Sequence, residues 1–134
     1  MTKSKPTMLG KFELEIMHVI WDKGKATVHE IKDGLSEKHP AAYTTFLTMM
    51  QRMEKKGLVA HEIHEDGKSY VYRPLVSRES VSVSMFQDVY DRLFHGSSER
   101  LLSVLNTFFR DEKMTPEEIQ RLRELIAEKE RQDE

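Results

Sequence analysis

The 134-residue sequence contains no cysteine, so disulfide bonds, thiolate metal sites and cysteine nucleophiles are excluded. No apolar run approaches the roughly 20 residues that are needed to span a bilayer. The polar N-terminal stretch, residues 1–12, also lacks the apolar segment of a secretory signal peptide. We therefore expect a cytoplasmic protein with no membrane association.

Glycine and proline are scarce, with six and four residues, whereas charged residues make up 33% of the chain and hydrophobic residues 38%. This composition is typical of a helix-rich protein with a modest core. The net charge of −2 is unevenly divided, because the first 76 residues carry 12 Lys and Arg against 10 Asp and Glu, and the remainder carries 9 against 13. Only the N-terminal part is suited to face a polyanion, and the position of each charge matters more than this small excess.

Three helices followed by a hairpin are predicted in the N-terminal part. The first spans Leu9–Lys23, where apolar residues recur on one stripe, and the second begins at a capping box formed by Thr27 and Glu30. The third spans Ala41–Lys56 and ends at a glycine. Alternating residues on both sides of an Asp-Gly turn indicate two strands within Leu58–Tyr72. This order predicts a winged helix-turn-helix domain, mainly α with a small β-hairpin.

The C-terminal part is predicted to form helices that associate. Pro74 and Ser77 mark a boundary, which divides the chain into residues 1–76 and 77–134. Three amphipathic helices are expected beyond it, with apolar faces too large to be buried among themselves. A two-fold homodimer covers such faces most simply, and folding back onto the N-terminal domain is the alternative. The predicted dimerisation residues are Val81, Met85, Phe86, Val89, Tyr90, Leu93, Leu101, Leu105 and Phe108.

The third predicted helix has two faces of different composition. At 100° per residue, the core-facing side is formed by Phe46, Met49, Met50 and Met53. The opposite side carries Thr44, Thr45, Thr48, Gln51, Arg52 and Lys55 and no acid, because Glu54 lies away from it. Such side chains can donate to phosphates and contact base edges, which indicates DNA binding. An ordinary solvated face is the alternative, and the same alternative applies to Lys68 at the hairpin tip.

No catalytic or metal-binding arrangement stands out in the sequence. His61 and His64 are three residues apart in a predicted strand, so they are expected to point to opposite faces. A Gly-rich phosphate loop, a nucleophile elbow and paired carboxylates are also lacking. We therefore expect neither enzyme activity nor a cofactor or metal.

Several segments resemble the penicillinase-repressor (BlaI/MecI) family of winged-helix transcriptional regulators, in matching order and spacing. They are Glu13–Met17, Trp21–Ile31, Ala42–Val59, Tyr70–Glu79 and Thr115–Leu122. The resemblance implies a repressor that binds palindromic operator DNA as a homodimer through its C-terminal helices. It also implies a recognition helix at residues 42–56. By this match Thr44, Thr45, Thr48 and Arg52 inherit the contact role, in agreement with the polar side of the third helix. The full set of predicted DNA-contacting residues is Tyr43, Thr44, Thr45, Thr48, Gln51, Arg52 and Lys55, with Lys68 in the wing.

Departures from this family bear on regulation. Induction of the antibiotic-responsive members is proteolytic, at an Asn-Phe bond, whereas here Asn106 is followed by Thr107 and only then by Phe108. The copper-responsive members carry a C-terminal cysteine motif, which this chain lacks. Gly10 stands where the family usually has a Ser or Thr cap.

Cleavage near Asn106 and its absence are both compatible with the sequence, so a membrane sensor peptidase is kept as one alternative partner. Two further functions also stay open at this point. One is a winged-helix adaptor that binds protein instead of DNA, and the other is a ligand-responsive regulator with a pocket among its C-terminal helices.

Overall fold

The computed structural model describes residues 9–133. The described elements are α1 (Lys11–Lys23), β1 (Ala26–Thr27), α2 (Val28–Leu35), α3 (Tyr43–Lys55), β2 (Val59–Ile63), β3 (Tyr70–Pro74), α4 (Arg78–Arg92), α5 (Ser98–Asp111) and α6 (Pro116–Gln132). No described helix is both long and apolar enough to cross a membrane. Most of the stretch predicted not to be a signal peptide, residues 1–8, lies outside the described residues.

The helix starts follow local capping chemistry. The capping box predicted for α2 is confirmed, because Thr27 Oγ1 accepts a hydrogen bond from the Glu30 amide at 3.2 Å and Glu30 Oε1 accepts one from the Thr27 amide at 2.8 Å. Gly10 has no side chain to cap α1, yet its amide donates to Glu13 Oε1 at 2.9 Å. Half of a capping box is therefore retained where the sequence departs from the usual Ser or Thr.

The sheet has one more strand than the predicted hairpin. β3 lies in the centre and pairs antiparallel with β2 on one side and with β1 on the other. The β1 pairs are Ala26 with Tyr72 and Thr27 with Val71. A two-residue strand is too short to show an alternating pattern, so periodicity could not predict it.

A single apolar core holds the first three helices and the sheet together. Its buried members are Ile16, Met17, Ile20, Ala26, Val28, Ile31, Leu35, Phe46, Met50, Met53, Leu58, Val59 and Tyr72. Of the four residues predicted for the inner side of α3, Phe46, Met50 and Met53 are fully buried and Met49 is partly buried. The predicted winged-helix architecture is thus confirmed, with α3 resting on the core by its methionine-rich side.

The C-terminal helices expose large apolar side chains within the single chain. Phe86 is 53% exposed, Leu93 68% and Phe108 54%, and neither α5 nor α6 buries a residue. Val81 is the exception, because it is only 2% exposed. Its assignment to a dimerisation face is wrong, since its own chain already covers it near the start of α4.

The chain divides into two compact units between Asp91 and Arg92. Most of α4 therefore belongs to the same unit as the winged helix. The sequence placed a boundary earlier, after Val76. A functional division at that point stays a prediction.

Candidate nucleic-acid interface

The outer side of α3 is a continuous polar surface, which we call the polar α3 face. It consists of Thr44, Thr45, Thr48, Gln51, Arg52 and Lys55, all of them exposed. In the described part of the chain, none of these side chains makes a hydrogen bond or an ion pair. The face therefore offers hydroxyl, amide, guanidinium and ammonium groups that are available to an external ligand.

The N-terminal end of α3 adds to the positive character of this face. Ala42 occupies the cap position and has no side chain that can accept a hydrogen bond, and the first turn contains no acidic residue. The amides of Thr45 and Phe46 turn back to the Ala42 carbonyl, at 3.0 and 3.3 Å. A helix N-terminus carries partial positive charge, and no carboxylate of this first turn offsets it.

The one acidic residue of α3 is turned away from the polar α3 face, as the sequence predicted. Glu54 accepts hydrogen bonds from His61 on β2, with Nδ1 lying 2.7 and 2.9 Å from the two carboxylate oxygens. The His61 ring stacks on Tyr70 of β3 at a centroid distance of 4.2 Å. The carboxylate is therefore held against the sheet by a hydrogen bond from the His61 ring.

The C-terminal end of α3 is attached to α1 by an ion pair. Lys56 Nζ lies 2.9 Å from both carboxylate oxygens of Glu13, whose side chain is only 7% exposed. The neighbouring Lys55 is exposed. Adjacent lysines thus have different environments, one facing outward and one fixing the helix to the domain.

The first residue of α3 contacts α2. The Tyr43 ring lies 4.6 Å from the His29 ring, measured between centroids. Tyr43 is 37% exposed, so part of this residue stays open to solvent beside the polar α3 face. Sequence reasoning identified Tyr43 but missed His29, because nothing in the α2 pattern marks it as a neighbour of α3.

The wing, which we define as β2, β3 and the turn between them, has an ordered tip. Asp66 accepts hydrogen bonds from the amides of Ser69 and Lys68 at 2.9 and 2.8 Å, and from the Ser69 hydroxyl at 3.0 Å. The bond from the Ser69 amide, followed by that from Lys68, lowers the pKa of Asp66 to about 2. The side chain of Lys68 is exposed, as predicted, and has no partner in the described chain.

The charge around Lys68 limits what the wing can bind. Glu62, Glu65 and Asp66 stand on the same short hairpin. Glu62 and Glu65, with Glu30, also line a cavity of about 270 Å³ beside it, where Lys25 Nζ lies 4.0 Å from Glu62 and is the one cation among the described lining residues. Carboxylates repel phosphate, so the polar α3 face is the better anion-facing surface of the domain.

Comparison with known proteins gives a consistent family. A family model described as "Penicillinase repressor" matches residues 9–128. The penicillinase repressor of Bacillus licheniformis is 29% identical over 116 residues, which cover 87% of each chain. The methicillin resistance regulatory protein MecI of Staphylococcus aureus is 25% identical over 126 residues, covering 94% of this chain and 98% of that protein.

A solved structure of a mutant MarR from E. coli, complexed with operator DNA, is similar in fold. The TM-score is 0.52 at 15% identity, covering 92% of this chain and 76% of that one. This likeness concerns the fold alone, whereas the family model spans nearly the whole described chain. The chain therefore belongs to the penicillinase repressor family.

Proposed function

We propose that this protein is a transcriptional repressor that binds double-stranded operator DNA through α3. The observation that carries the proposal is the polar α3 face, which is exposed, free of acid and without internal partners. An ordinary solvated helix face usually mixes both signs of charge, whereas this one presents only cations and neutral hydrogen-bonding groups. Such a surface suits a polyanion with readable base edges.

Two kinds of contact are assigned to this face. Lys55, near the end of α3, contacts a phosphate and contributes affinity on any sequence. Arg52 and Gln51 are suited to guanine and adenine, which accept bidentate hydrogen bonds in the major groove. Thr44 and Thr48 are short enough to let the helix approach the bases, and their methyl groups can contact thymine.

The relatives support repression as the outcome of binding. The B. licheniformis protein is a penicillinase repressor, and MecI is a methicillin resistance regulatory protein. DNA binding accounts for the composition of the polar α3 face without any chemical reaction, so we propose no catalytic activity. A protein of this function acts on chromosomal DNA, so we also propose a cytoplasmic location.

We further propose that the protein binds a palindromic operator as a homodimer. Exposed apolar side chains on α4 and α5 are the support, and a second copy of the chain is the occupant that a two-fold operator requires. Residues 1–76 then serve DNA binding and residues 77–134 dimerisation. The proposed contact residues are Met85, Phe86, Val89, Tyr90, Leu93, Leu101, Leu105 and Phe108.

The DNA assignment is tested by selecting preferred duplexes from a random library and measuring affinity by fluorescence anisotropy. Thr48→Ala should change the preference at one base position by roughly 1–3 kcal/mol. Lys55→Ala is the matched control, and it should weaken binding on every sequence and reduce the salt slope by about 0.9. Equal losses on selected and random DNA for Thr48→Ala contradict a base contact. No selection of any duplex by the wild type favours a protein-binding adaptor instead.

The dimer is tested separately by sedimentation. Replacing Phe86 and Leu93 together with Glu should give monomers and strongly weaken binding to a palindrome. Gln87→Glu, which adds a charge to the same helix, should leave the dimer intact. A wild-type monomer at micromolar concentration rules the dimer out.

A further inference from the structure

Arg78, the first residue of α4, is attached to α1 by its guanidinium group. Its Nη2 donates to Asp22 Oδ1 at 2.9 Å and lies 3.5 Å from His18 Nδ1. The guanidinium carbon also lies 5.2 Å from the centroid of the Trp21 ring, within cation–π distance. One side chain therefore contacts three residues of α1, at positions i, i+3 and i+4, which lie on the same side of the helix.

The Trp21 ring is itself fixed in place. Its Nε1 donates to the Val76 carbonyl at 2.9 Å, and the His18 ring packs against it edge-on at 5.5 Å. Val76 packs partly against the apolar core. The chain that leads from β3 into α4 is thus held on α1 before the helix begins. We call this group, formed by His18, Trp21, Asp22, Val76 and Arg78, the α1–α4 junction.

The start of α4 is also ordered by its own cap. Ser77 Oγ accepts a hydrogen bond from the Ser80 amide at 3.0 Å, and the Ser77 carbonyl accepts one from Val81 at 3.1 Å. Val81 is buried one turn into the helix. The first turn of α4 is therefore attached to the winged helix, while Phe86 and Val89 further along are exposed.

We propose that Arg78 is a positioning residue that sets which spacing between operator half-sites the dimer accepts. The inference rests on the proposed function, because it concerns how two α3 helices are placed on one DNA duplex. α1 shares a core with α3, and α4 carries exposed residues of the proposed dimer contact. The angle between α1 and α4 therefore enters the distance between the two recognition helices.

A small tilt at the first turn of α4 produces a large displacement at the far end of the helix. α4 has 15 residues, which corresponds to a helix about 22 Å long at 1.5 Å per residue. A tilt of about 10° at its first turn moves its far end by about 4 Å, which is close to the 3.4 Å rise of one base pair. Each added base pair also turns a half-site by about 35° around the duplex, so tilts of this size reduce the discrimination against operators that differ by one base pair without abolishing it.

The contacts of Arg78 are better suited to fixing the angle of α4 than to stabilising the fold. The side chains of Arg78 and Asp22 are 51% and 70% exposed, and exposed ion pairs contribute little to folding free energy. The planar guanidinium, however, is oriented by both the carboxylate and the ring, which lysine cannot reproduce. Loss of Arg78 is therefore expected to leave the domain folded and to allow a wider range of angles between α1 and α4.

The test measures affinity for a series of palindromes whose half-sites are moved by −2 to +2 base pairs, and for a single half-site. Wild-type protein should prefer one spacing by at least about tenfold. Arg78→Ala should reduce this preference to about threefold or less, with half-site affinity unchanged within about twofold. Arg78→Lys should give an intermediate preference, and Glu79→Ala, its exposed neighbour on α4, should behave as wild type.

Trp21 is the single tryptophan of the chain, so its fluorescence reports directly on the junction. Arg78→Ala should change its emission without lowering helix content. If that variant fails to fold, Asp22→Asn removes the carboxylate partner alone and should broaden the spacing preference in the same direction.

An unchanged spacing profile in folded Arg78→Ala protein overturns this inference alone, as does a wild type that binds all spacings equally. Wild-type protein that selects no duplex overturns the proposed function, and the inference with it.

Discussion

Glu54 Oε1 lies 2.7 Å from Nδ1 of His61, so the one carboxylate on α3 is bound to the sheet next to the proposed DNA surface. This contact joins the last turn of α3 to β2. It also gives the acid a hydrogen-bond donor on the sheet, whereas an unbound carboxylate would stand close to Lys55 and repel phosphate.

Replacing His61 with Ala should therefore weaken DNA binding on all sequences. We expect a two- to fivefold loss, which is about 0.4–1 kcal/mol, because the carboxylate is then free to turn towards the DNA and repel phosphate. Anisotropy titrations on selected and random duplexes provide the measurement. Adding Glu54→Gln to His61→Ala should restore the affinity, because the uncompensated carboxylate is then gone. A double variant as weak as the single one shows that His61 acts through some other contact.

The adjacent lysines at the end of α3 should affect different properties. Lys56→Ala removes the cation from the buried Glu13 carboxylate and should lower the free energy of unfolding by about 1–3 kcal/mol. Lys55→Ala, its neighbour with no partner among residues 9–133, should change that free energy by less than about 0.5 kcal/mol. Urea unfolding followed by circular dichroism compares the two. Equal stability losses would mean that the ion pair between Glu13 and Lys56 does not fasten α3.

The wing turn should become sensitive to acid in a defined window. Because the pKa of Asp66 falls from 3.8 to about 2 on folding, its ionised form stabilises the turn. That stabilisation is complete above about pH 4 and is lost as the pH falls towards 2. The amide resonances of Lys68 and Ser69 in NMR spectra should shift with a midpoint near 2, and these shifts should vanish in Asp66→Asn. A midpoint near 3.8 contradicts the hydrogen-bonded turn.

Patterns of neighbouring residues explain how much of this fold was predictable. The stripe of Phe46, Met50 and Met53 and the capping pair of Thr27 and Glu30 act over three to seven positions, so a sequence shows them directly. The eight predicted DNA-contacting residues are all exposed in the structure. Their contact with DNA stays a proposal.

Contacts between distant positions could not be predicted. Glu13 and Lys56 are 43 residues apart, and Asp22 and Arg78 are 56 apart, so only the packing of helices brings them together. Val81 shows the same limit in another form. Its place on an apolar stripe was evident, but periodicity does not tell whether the chain itself or a second copy covers a stripe.

The interrupted cleavage signal should make this protein resistant to a sensor peptidase that cuts between Asn and Phe. Asn106 and Thr107 lie inside α5, and the Thr107 hydroxyl donates to the Ser103 carbonyl at 3.3 Å. A protease that binds an extended substrate needs the two side chains in adjacent subsites, and one inserted residue moves Phe108 by about 180°. Co-expression with such a peptidase, followed by intact-mass measurement, should find full-length protein.

Thr107→Phe supplies the matched comparison for that experiment, since it places a phenylalanine directly after Asn106 in the same helix. This variant should be cut under conditions that spare the wild type. A wild-type fragment ending at Asn106 or Thr107 would show the prediction to be wrong.

Thr27 belongs to two elements at once, because its backbone pairs with Val71 in the sheet while its hydroxyl caps α2. Separating the wing from β1 therefore disturbs the start of the helix, and fraying of that helix loosens the strand. At this point neither the helix nor the sheet is expected to unfold locally without the other. Amide hydrogen exchange of the central strand and of α2 should accordingly report one shared opening event, which makes the winged helix a single cooperative unit.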